Sequence, residues 1–258
     1  MTQQASFNYK IDPEHIDFQK NISPIVLTDM IVNAAGKDAD NHGFGLMDLH
    51  RRNCSWVVSR IAIDLDKIPT VGDELSIETW VKDVGNVFTT RNFRLSNGSG
   101  KVIGYAALSW AILDLETRQS IPLTNVPELN HFIVDEPIPM DSPSRVPNIE
   151  GRVANGFEVK YSDLDLNVHT NVLKYLQCIC DVFSLDFYAK RILKRIEINF
   201  LKELKYGDKG TVYFEEVAEN DFVFRMETTE GATVSRSRMV FEFNPDYAIE
   251  IFLVKSIG

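Results

Sequence analysis

Hydrophobic and polar residues alternate in two segments of the chain, Arg60–Asp73 and Arg195–Asp208, and each segment ends in Gly-Asp. This alternation is typical of a half-buried β-strand that is followed by a turn. Six of the fourteen positions are identical at a constant offset of 135 residues. The pattern therefore predicts an internal repeat, although a chance match of two short strands would give the same similarity.

An apolar stripe with helical spacing precedes each copy of the strand. Ser23 and Pro24 provide an N-cap and a first helical residue for the helix in the first half. The two stripes consist of Leu27, Met30, Ile31, Ala34 and Ala35, and of Leu173, Leu176, Ile179, Cys180 and Phe183. This spacing predicts one main amphipathic helix in each half.

Further alternating segments, separated by turn residues, follow each Gly-Asp turn. They are Glu74–Asp83, Val87–Leu95 and Val102–Leu113 in the first half, and Thr211–Val217, Phe222–Glu227, Thr233–Phe243 and Tyr247–Val254 in the second. Each half is thus predicted to contain a strand, one helix and then several antiparallel strands. A long helix against a mostly antiparallel sheet is an α+β arrangement.

The segment between the two halves has little periodicity. The segment Ser120–Pro147 contains six prolines, which favours a linker or a crossing segment over a domain core. We therefore predict an N-terminal domain at residues 1–123, a linker at 124–146 and a C-terminal domain at 147–258.

Composition and charge narrow the class of protein. The 258 residues are 44% hydrophobic and 25% charged, and 27 basic against 37 acidic residues give a net charge of −10. These values are typical of a globular protein and argue against a broad nucleic-acid surface. The amino terminus lacks the pattern of a signal peptide, and no apolar stretch has the length of a membrane span. We therefore expect a cytoplasmic protein.

The cysteines indicate neither disulfides nor a metal site. Cys54, Cys178 and Cys180 are too few for a disulfide framework, and no Cys/His spacing is typical of zinc. The two cysteines of the second helix are expected to pack as small apolar residues. We predict no metal and no cofactor.

A cluster of polar residues lies just before the second helix. It comprises Asp163, Asp165, Asn167, His169 and Asn171. Helix capping explains one or two of them, but it does not explain the histidine. An imidazole that is kept neutral near amides and carboxylates is a candidate catalytic group.

The string SDLDLNVHTNVLKYL, which ends with Tyr175 and Leu176, resembles the pattern SDLDxNxHxNNxxY of the acyl-acyl carrier protein (acyl-ACP) thioesterases of plants and bacteria. That family has a glutamate about 34 residues after the histidine, and here 169 + 34 gives Glu203. Arg51–Val81 also resembles the family pattern KRNxxWVVxRxxxxxDxxPxxGDxxxxxTWV. Two positions depart from the family: Val172 replaces the second asparagine, and Leu204 replaces the cysteine of many plant members.

The resemblance implies a tandem (double) hot-dog fold, in which each half wraps one long helix with an antiparallel sheet. It also implies hydrolysis of the thioester that joins a fatty acyl chain to the phosphopantetheine arm of acyl carrier protein, as part of fatty acid biosynthesis. The departure at Leu204 rules out a cysteine nucleophile at that place.

Thioester hydrolysis requires an activated water and stabilisation of an oxyanion. Glu203 is the preferred base, while His169 and Asn167 would position the water or the thioester carbonyl and Asp165 would orient the imidazole or the amide. His169 as base with Glu203 as its orienter is the alternative. Backbone N–H groups near Asn171 are candidate oxyanion donors.

The two halves differ at the positions of these candidates. Ile68 corresponds to Glu203, and HIDFQKNISP before the first helix lacks the D-x-N-x-H string. We therefore expect one catalytic site per chain, with the first half supplying the acyl-chain pocket. Strand parity would instead place Glu203 on the outer face, as an ordinary surface glutamate.

Acyl carrier proteins are acidic, so that an acidic enzyme needs a local basic patch to bind one. The first candidate is the string AKRILKR, which contains Lys190, Arg191 and Lys194. The alternative interpretation is a run of charged residues that simply faces the solvent. Arg51 and Arg52 form a smaller candidate. The histidines outside the polar cluster, His15, His42, His50 and His131, are expected on the surface.

Other functions remain open at this point. The same site would suit an acyl-CoA thioesterase, and a hot-dog pair without catalysis could bind acyl groups. No motif favours a dehydratase. Monomer and homodimer are equally compatible with the sequence, because a tandem pair already forms the usual interface between hot-dog domains.

Overall fold

The computed structural model describes residues 4–245 and Tyr247. The first half contains β1 (Ala5–Lys10), α1 (Pro24–Asn41), α2 (Leu46–His50), β2 (Cys54–Leu65), β3 (Glu74–Val84), β4 (Thr89–Asn97), β5 (Val102–Asp114) and β6 (Ser120–Ile121). The second contains β7 (Arg152–Glu158), α3 (Val172–Cys180), α4 (Leu185–Ala189), β8 (Arg191–Phe200), β9 (Lys209–Ala218), β10 (Asp221–Thr228) and β11 (Thr233–Phe243). Except for Tyr247–Val254, the predicted strands and the two main helices are present in the predicted order.

One antiparallel sheet joins the two halves. Its strand order is β1-β3-β4-β5-β2-β8-β11-β10-β9-β7, with β6 paired to β5, so the second half repeats the first in reverse. Where β2 meets β8, Ala62 lies opposite Glu197, and these two residues differ by 197 − 62 = 135 positions. This register places a pseudo-twofold axis at the pair and confirms the internal repeat.

The two main helices pack together in one core. Pro24 begins α1, and Ser23 Oγ accepts a hydrogen bond from the N–H of Ile25 at 3.3 Å, as expected of an N-cap. The predicted stripe of α1 is buried, and α1 contacts α3. Apolar residues of both helices share a single core cluster with the inner face of the sheet.

Two predictions about element ends need comment. The apolar stripe predicts a second helix that reaches Phe183, but α3 ends at Cys180. Phe183 instead stacks on Phe187, with ring centroids 4.0 Å apart. The predicted strand Tyr247–Val254 lies outside the described residues, apart from Tyr247.

The proline-rich segment crosses the sheet. The N–H of Val134 donates to the carbonyl of Val81 at 2.9 Å, and Trp80 Nε1 donates to the carbonyl of Glu136 at 3.1 Å. Near its end, the N–H of Val146 donates to Asn199 Oδ1 at 2.8 Å. No helix in the described part of the chain has both the length and the apolar character needed to cross a membrane.

Candidate active site

The polar cluster forms a closed loop between β7 and α3. The Asp165 carboxylate accepts hydrogen bonds from the backbone N–H groups of Asn167 at 2.8 Å and His169 at 3.2 Å. Val168 lies between them in the left-handed region at φ 61°. His169 then pairs with Lys205, so that the loop is attached to the segment that carries Glu203.

The first half contains the same loop without the same chemistry. Asp17 accepts from the N–H groups of Gln19 at 2.8 Å and Asn21 at 3.1 Å, and Lys20 has φ 66°. Asn21 pairs with Thr70, as His169 pairs with Lys205. The loop is therefore duplicated, whereas Gln19 and Asn21 stand at the places of Asn167 and His169.

Glu203 lies beyond the end of its strand. Because β8 ends at Phe200, the strand parity that would place Glu203 on the outer face does not apply. The Tyr175 hydroxyl accepts a hydrogen bond from the N–H of Leu204 at 3.2 Å and donates to the carbonyl of Lys202 at 3.4 Å. Tyr175 thus fixes the backbone on both sides of Glu203, and its burial raises the pKa of its hydroxyl.

The Glu203 carboxylate lies between two basic groups. Arg118 Nη2 donates to Oε1, and His169 Nε2 lies 3.6 Å from Oε2. This second distance is longer than a direct hydrogen bond. Arg118 belongs to the turn after β5 in the first half, and sequence reasoning missed it.

Asn167 also contacts the first half. His50 Nε2 lies 3.0 Å from Asn167 Oδ1, and since an amide oxygen only accepts, His50 is the donor. Asn167 Nδ2 donates to Ser55 Oγ at 3.2 Å. The prediction that His50 is merely a surface residue was wrong: it helps to hold the Asn167 amide.

Most of the other polar groups of this loop already have hydrogen-bond partners. Asn171 caps α3, its Oδ1 accepting from the N–H of Leu173 at 2.9 Å, while its own N–H donates to the carbonyl of Asp163 at 2.7 Å. These two N–H groups are therefore not the free oxyanion donors that the sequence suggested. His169 Nδ1 is buried without a hydrogen-bond partner among the described residues.

Two family models match most of the chain. The acyl-ACP thioesterase N-terminal domain matches residues 3–128, and the acyl-ACP thioesterase C-terminal domain matches residues 147–244. The chain belongs to the acyl-ACP thioesterase family. The sequence-based prediction of a thioester hydrolase is thereby confirmed.

Individual relatives span both halves. The crystal structure of an acyl-ACP thioesterase from Bacteroides thetaiotaomicron superposes with a TM-score of 0.87 at 33% identity, covering 93% of this chain and 98% of that one. The 12:0-ACP thioesterase from Umbellularia californica gives a TM-score of 0.81 at 17% identity, covering 95% and 99%. These likenesses confirm the tandem hot-dog fold.

The chain spans part of the length of the curated relatives that it matches. Oleoyl-acyl carrier protein thioesterase 2 of Arabidopsis thaliana is 23% identical over 99% of this chain and 75% of its own length. The palmitoyl-acyl carrier protein thioesterase of the same plant is 27% identical over 67% of this chain, which matches 43% of that relative.

The predicted basic patch lies far from the thioesterase's candidate site. Lys190 and Arg191 stand where β8 begins, whereas Glu203 follows its end, and at about 3.3 Å per residue the two ends of this ten-residue strand are about 30 Å apart. Lys190 pairs with Asp186 at 2.6 Å, and Lys194 lies 3.8 Å from Glu242. Arg191 donates to Asn220 Oδ1 at 2.7 Å. The patch is thus partly neutralised.

An apolar cavity lies in the first half of the thioesterase. It holds about 390 Å³ including its open mouth, and α1, β2 and β5 contribute Ala39, Trp56 and Trp110 to its wall. Trp56 directly follows Ser55, which contacts Asn167. No cluster of three or more potential metal ligands occurs among the residues that the structure describes.

Proposed function

We propose that this protein hydrolyses fatty acyl-ACP to a free fatty acid and holo-acyl carrier protein. The observation that carries the proposal is that His169 Nε2 lies 3.6 Å from the Glu203 carboxylate, with Asn167 two residues before His169, in a chain of the acyl-ACP thioesterase family. These are the residue types that attack by water on a thioester requires: a carboxylate, an imidazole and an amide donor.

Glu203 takes the proton from the attacking water in this proposal. Arg118 holds Oε1, which leaves Oε2 directed towards His169 Nε2. These atoms are 3.6 Å apart, so that a water lying to one side of them can contact both groups. The alternative base is His169, oriented by Glu203 through Nε2, but Nδ1 would then accept the proton, and Nδ1 is buried. This burial favours Glu203.

Asn167 stabilises the oxyanion. Its amide carries two N–H donors, of which one binds Ser55 Oγ, and His50 fixes the amide oxygen. The second N–H is directed at the developing charge when water adds to the thioester carbonyl. Collapse of the tetrahedral intermediate breaks the C–S bond, and the departing pantetheine sulfur takes up the proton that Glu203 accepted from the water.

The acyl chain lies in the first half. The cavity beside Trp56 is lined mainly by apolar residues, as ligand pockets are. Burial of methylene groups there contributes about 0.8 kcal/mol each. The pocket and the catalytic groups then come from different halves, as the divergence of the two loops suggested.

Release of thiol from palmitoyl-ACP and palmitoyl-CoA tests the proposal. We expect hydrolysis of palmitoyl-ACP, and a loss of turnover of at least ~10²-fold in Glu203→Gln and in His169→Ala, which remove the base and its partner. Glu215→Gln, an exposed carboxylate on β9, is the matched control.

Each other outcome points elsewhere. Faster hydrolysis of palmitoyl-CoA than of palmitoyl-ACP would indicate an acyl-CoA thioesterase. Binding of both thioesters without thiol release would indicate a protein that only binds acyl groups. Full activity of folded Glu203→Gln would reject the proposed mechanism.

A further inference from the structure

Large apolar side chains are exposed around the candidate site. Leu166, Val168, Leu201 and Tyr206 are each 51–68% exposed. They flank Asn167, His169 and Glu203 in sequence, and the two segments that carry them are joined by a hydrogen bond from the N–H of Thr170 to the carbonyl of Leu204 at 2.9 Å. Exposed apolar residues gathered in this way mark an interaction site.

The backbone of this surface is strained at Val168. It has φ 61°, which is a genuine outlier for a β-branched residue, and such strain costs of order 1–3 kcal/mol. Its side chain is 64% exposed, so that packing within the chain offsets little of this cost. A contact made outside the chain would account for valine at this position.

Two lysines lie beside these residues. Lys202 and Lys205 are exposed and form no ion pair with any residue that the structure describes. Of the neighbouring carboxylates, Glu203 is paired with Arg118 and Asp163 with Lys174, while Asp165 and Asp208 accept backbone N–H groups. The two lysine side chains can therefore contact acidic groups of a partner, on a chain whose net charge is −10.

The duplicated loop of the first half provides an internal comparison. Lys20 stands at the place of Val168, Asp66 at that of Leu201 and Thr70 at that of Lys205, while Phe18 and Val71 remain apolar and exposed like Leu166 and Tyr206. The loop is retained in both halves. Both copies thus carry two lysines, Lys20 and Lys67 in the first half, whereas the apolar Val168 and Leu201 occur only beside the catalytic groups.

We propose that Leu166, Val168, Leu201, Lys202, Lys205 and Tyr206, which we call the mouth surface, form the docking surface for the acidic acyl carrier protein. The inference rests on the proposed function. The carrier's acidic face contacts the two lysines, its apolar residues cover Val168 and Leu201, and its arm reaches Glu203 from this exposed side. The Lys190 patch, at the other end of β8, would leave the arm about 30 Å of strand to span.

Charge reversal tests the surface. We expect Lys202→Glu/Lys205→Glu to lower kcat/KM for palmitoyl-ACP by about tenfold or more, mainly through KM and less so at high salt. Hydrolysis of an octanoyl-pantetheine thioester, which has no carrier surface, should change less than about twofold, because neither lysine contacts a reacting group. The matched control is Lys20→Glu/Lys67→Glu, the same change at the other copy of the loop.

Val168→Gly provides a second arm that does not depend on charge. Glycine adopts positive φ without strain, so we expect the melting temperature to be kept or raised while KM for palmitoyl-ACP rises. A destabilised Val168→Gly would mean that Val168 supports the fold, and this would count against the proposal. Lys20→Gly, at the matching position of the first half, should leave KM unchanged.

The two proposals can fail separately. Absence of hydrolysis of either substrate by the wild type would reject the proposed function. If the wild type is active, equal losses on both substrates in the Lys202/Lys205 variant would show that these lysines support the site, and the docking inference would fall. A loss confined to palmitoyl-ACP in Lys190→Glu/Arg191→Glu/Lys194→Glu would place docking at the other end of β8.

Discussion

Removal of one hydroxyl group, in Tyr175→Phe, tests how Glu203 is positioned. The Tyr175 hydroxyl bridges α3 to the two peptide groups that flank Glu203, accepting from Leu204 and donating to Lys202. Phenylalanine keeps the ring, which packs edge-on against Phe200 with centroids 5.2 Å apart. The substitution therefore removes the two hydrogen bonds and little else.

The expected loss of stability follows from the backbone N–H group that the substitution leaves without an acceptor. The N–H of Leu204 loses its acceptor in a residue that is 1% exposed, and an unsatisfied buried N–H costs about 1–3 kcal/mol. For a chain of this size that corresponds to a melting temperature lower by about 2–12 °C. Because Glu203 is then free to shift, we expect kcat to fall by about 10–100-fold with little change in KM.

Tyr188→Phe separates positioning from stability. The Tyr188 hydroxyl donates to the carbonyl of Cys180 at 2.8 Å and contacts no candidate catalytic residue. Calorimetry and thiol release from palmitoyl-ACP should show that both variants lose stability and that only Tyr175→Phe loses turnover. Equal turnover in the two variants, or a loss in Tyr175→Phe that appears only in KM, would refute the positioning role.

Two further predictions concern groups outside the proposed mechanism. Burial raises the pKa of Cys178 to about 11 and that of Cys180 to about 12, so both thiols are protonated at neutral pH. A variant in which Cys54, Cys178 and Cys180 are all changed to Ala should therefore keep its turnover within about tenfold of the wild type. A folded but inactive variant would contradict attack by water. The Asp38–Arg91 pair is buried, with Oδ2 and Nη1 2.5 Å apart. Asp38→Ala should lower the free energy of unfolding by about 3–5 kcal/mol in denaturant titrations. The double variant Asp38→Leu/Arg91→Met should lose less of this free energy, because no charge is left unpaired.

The fold was predictable because the sequence contains the same pattern of strands and helix twice. The match between Arg60–Asp73 and Arg195–Asp208 defined the repeat, and the pairing of Ala62 with Glu197 is its direct consequence. Hydrophobic alternation depends on local packing against one face of a sheet, which is why it identified the strands. The end of α3 was less predictable, because Phe183 still packs against aromatic rings, partly buried, after the helix has ended.

The candidate site was only half predictable. Asn167, His169 and Glu203 were found from a local string and one spacing, whereas their partners Arg118 and His50 lie 85 and 117 residues away in sequence. No local pattern reports such contacts. The repeat did contain a usable signal, since a pseudo-twofold axis between β2 and β8 brings the start of β2 close to the loop before α3.

The duplicated loop also distinguishes the residues that build the site from those that act in it. The aspartates Asp17 and Asp165 make the same pair of backbone hydrogen bonds, although only in the second loop is one of the two donors a histidine, His169. A group that does the same in a loop without catalytic residues is needed for the loop itself. We infer that Asp165 acts by shaping the loop that presents Asn167 and His169. Its predicted role as a direct support of the imidazole has no counterpart in these contacts, and the chemistry is best sought in the groups that the first half lacks.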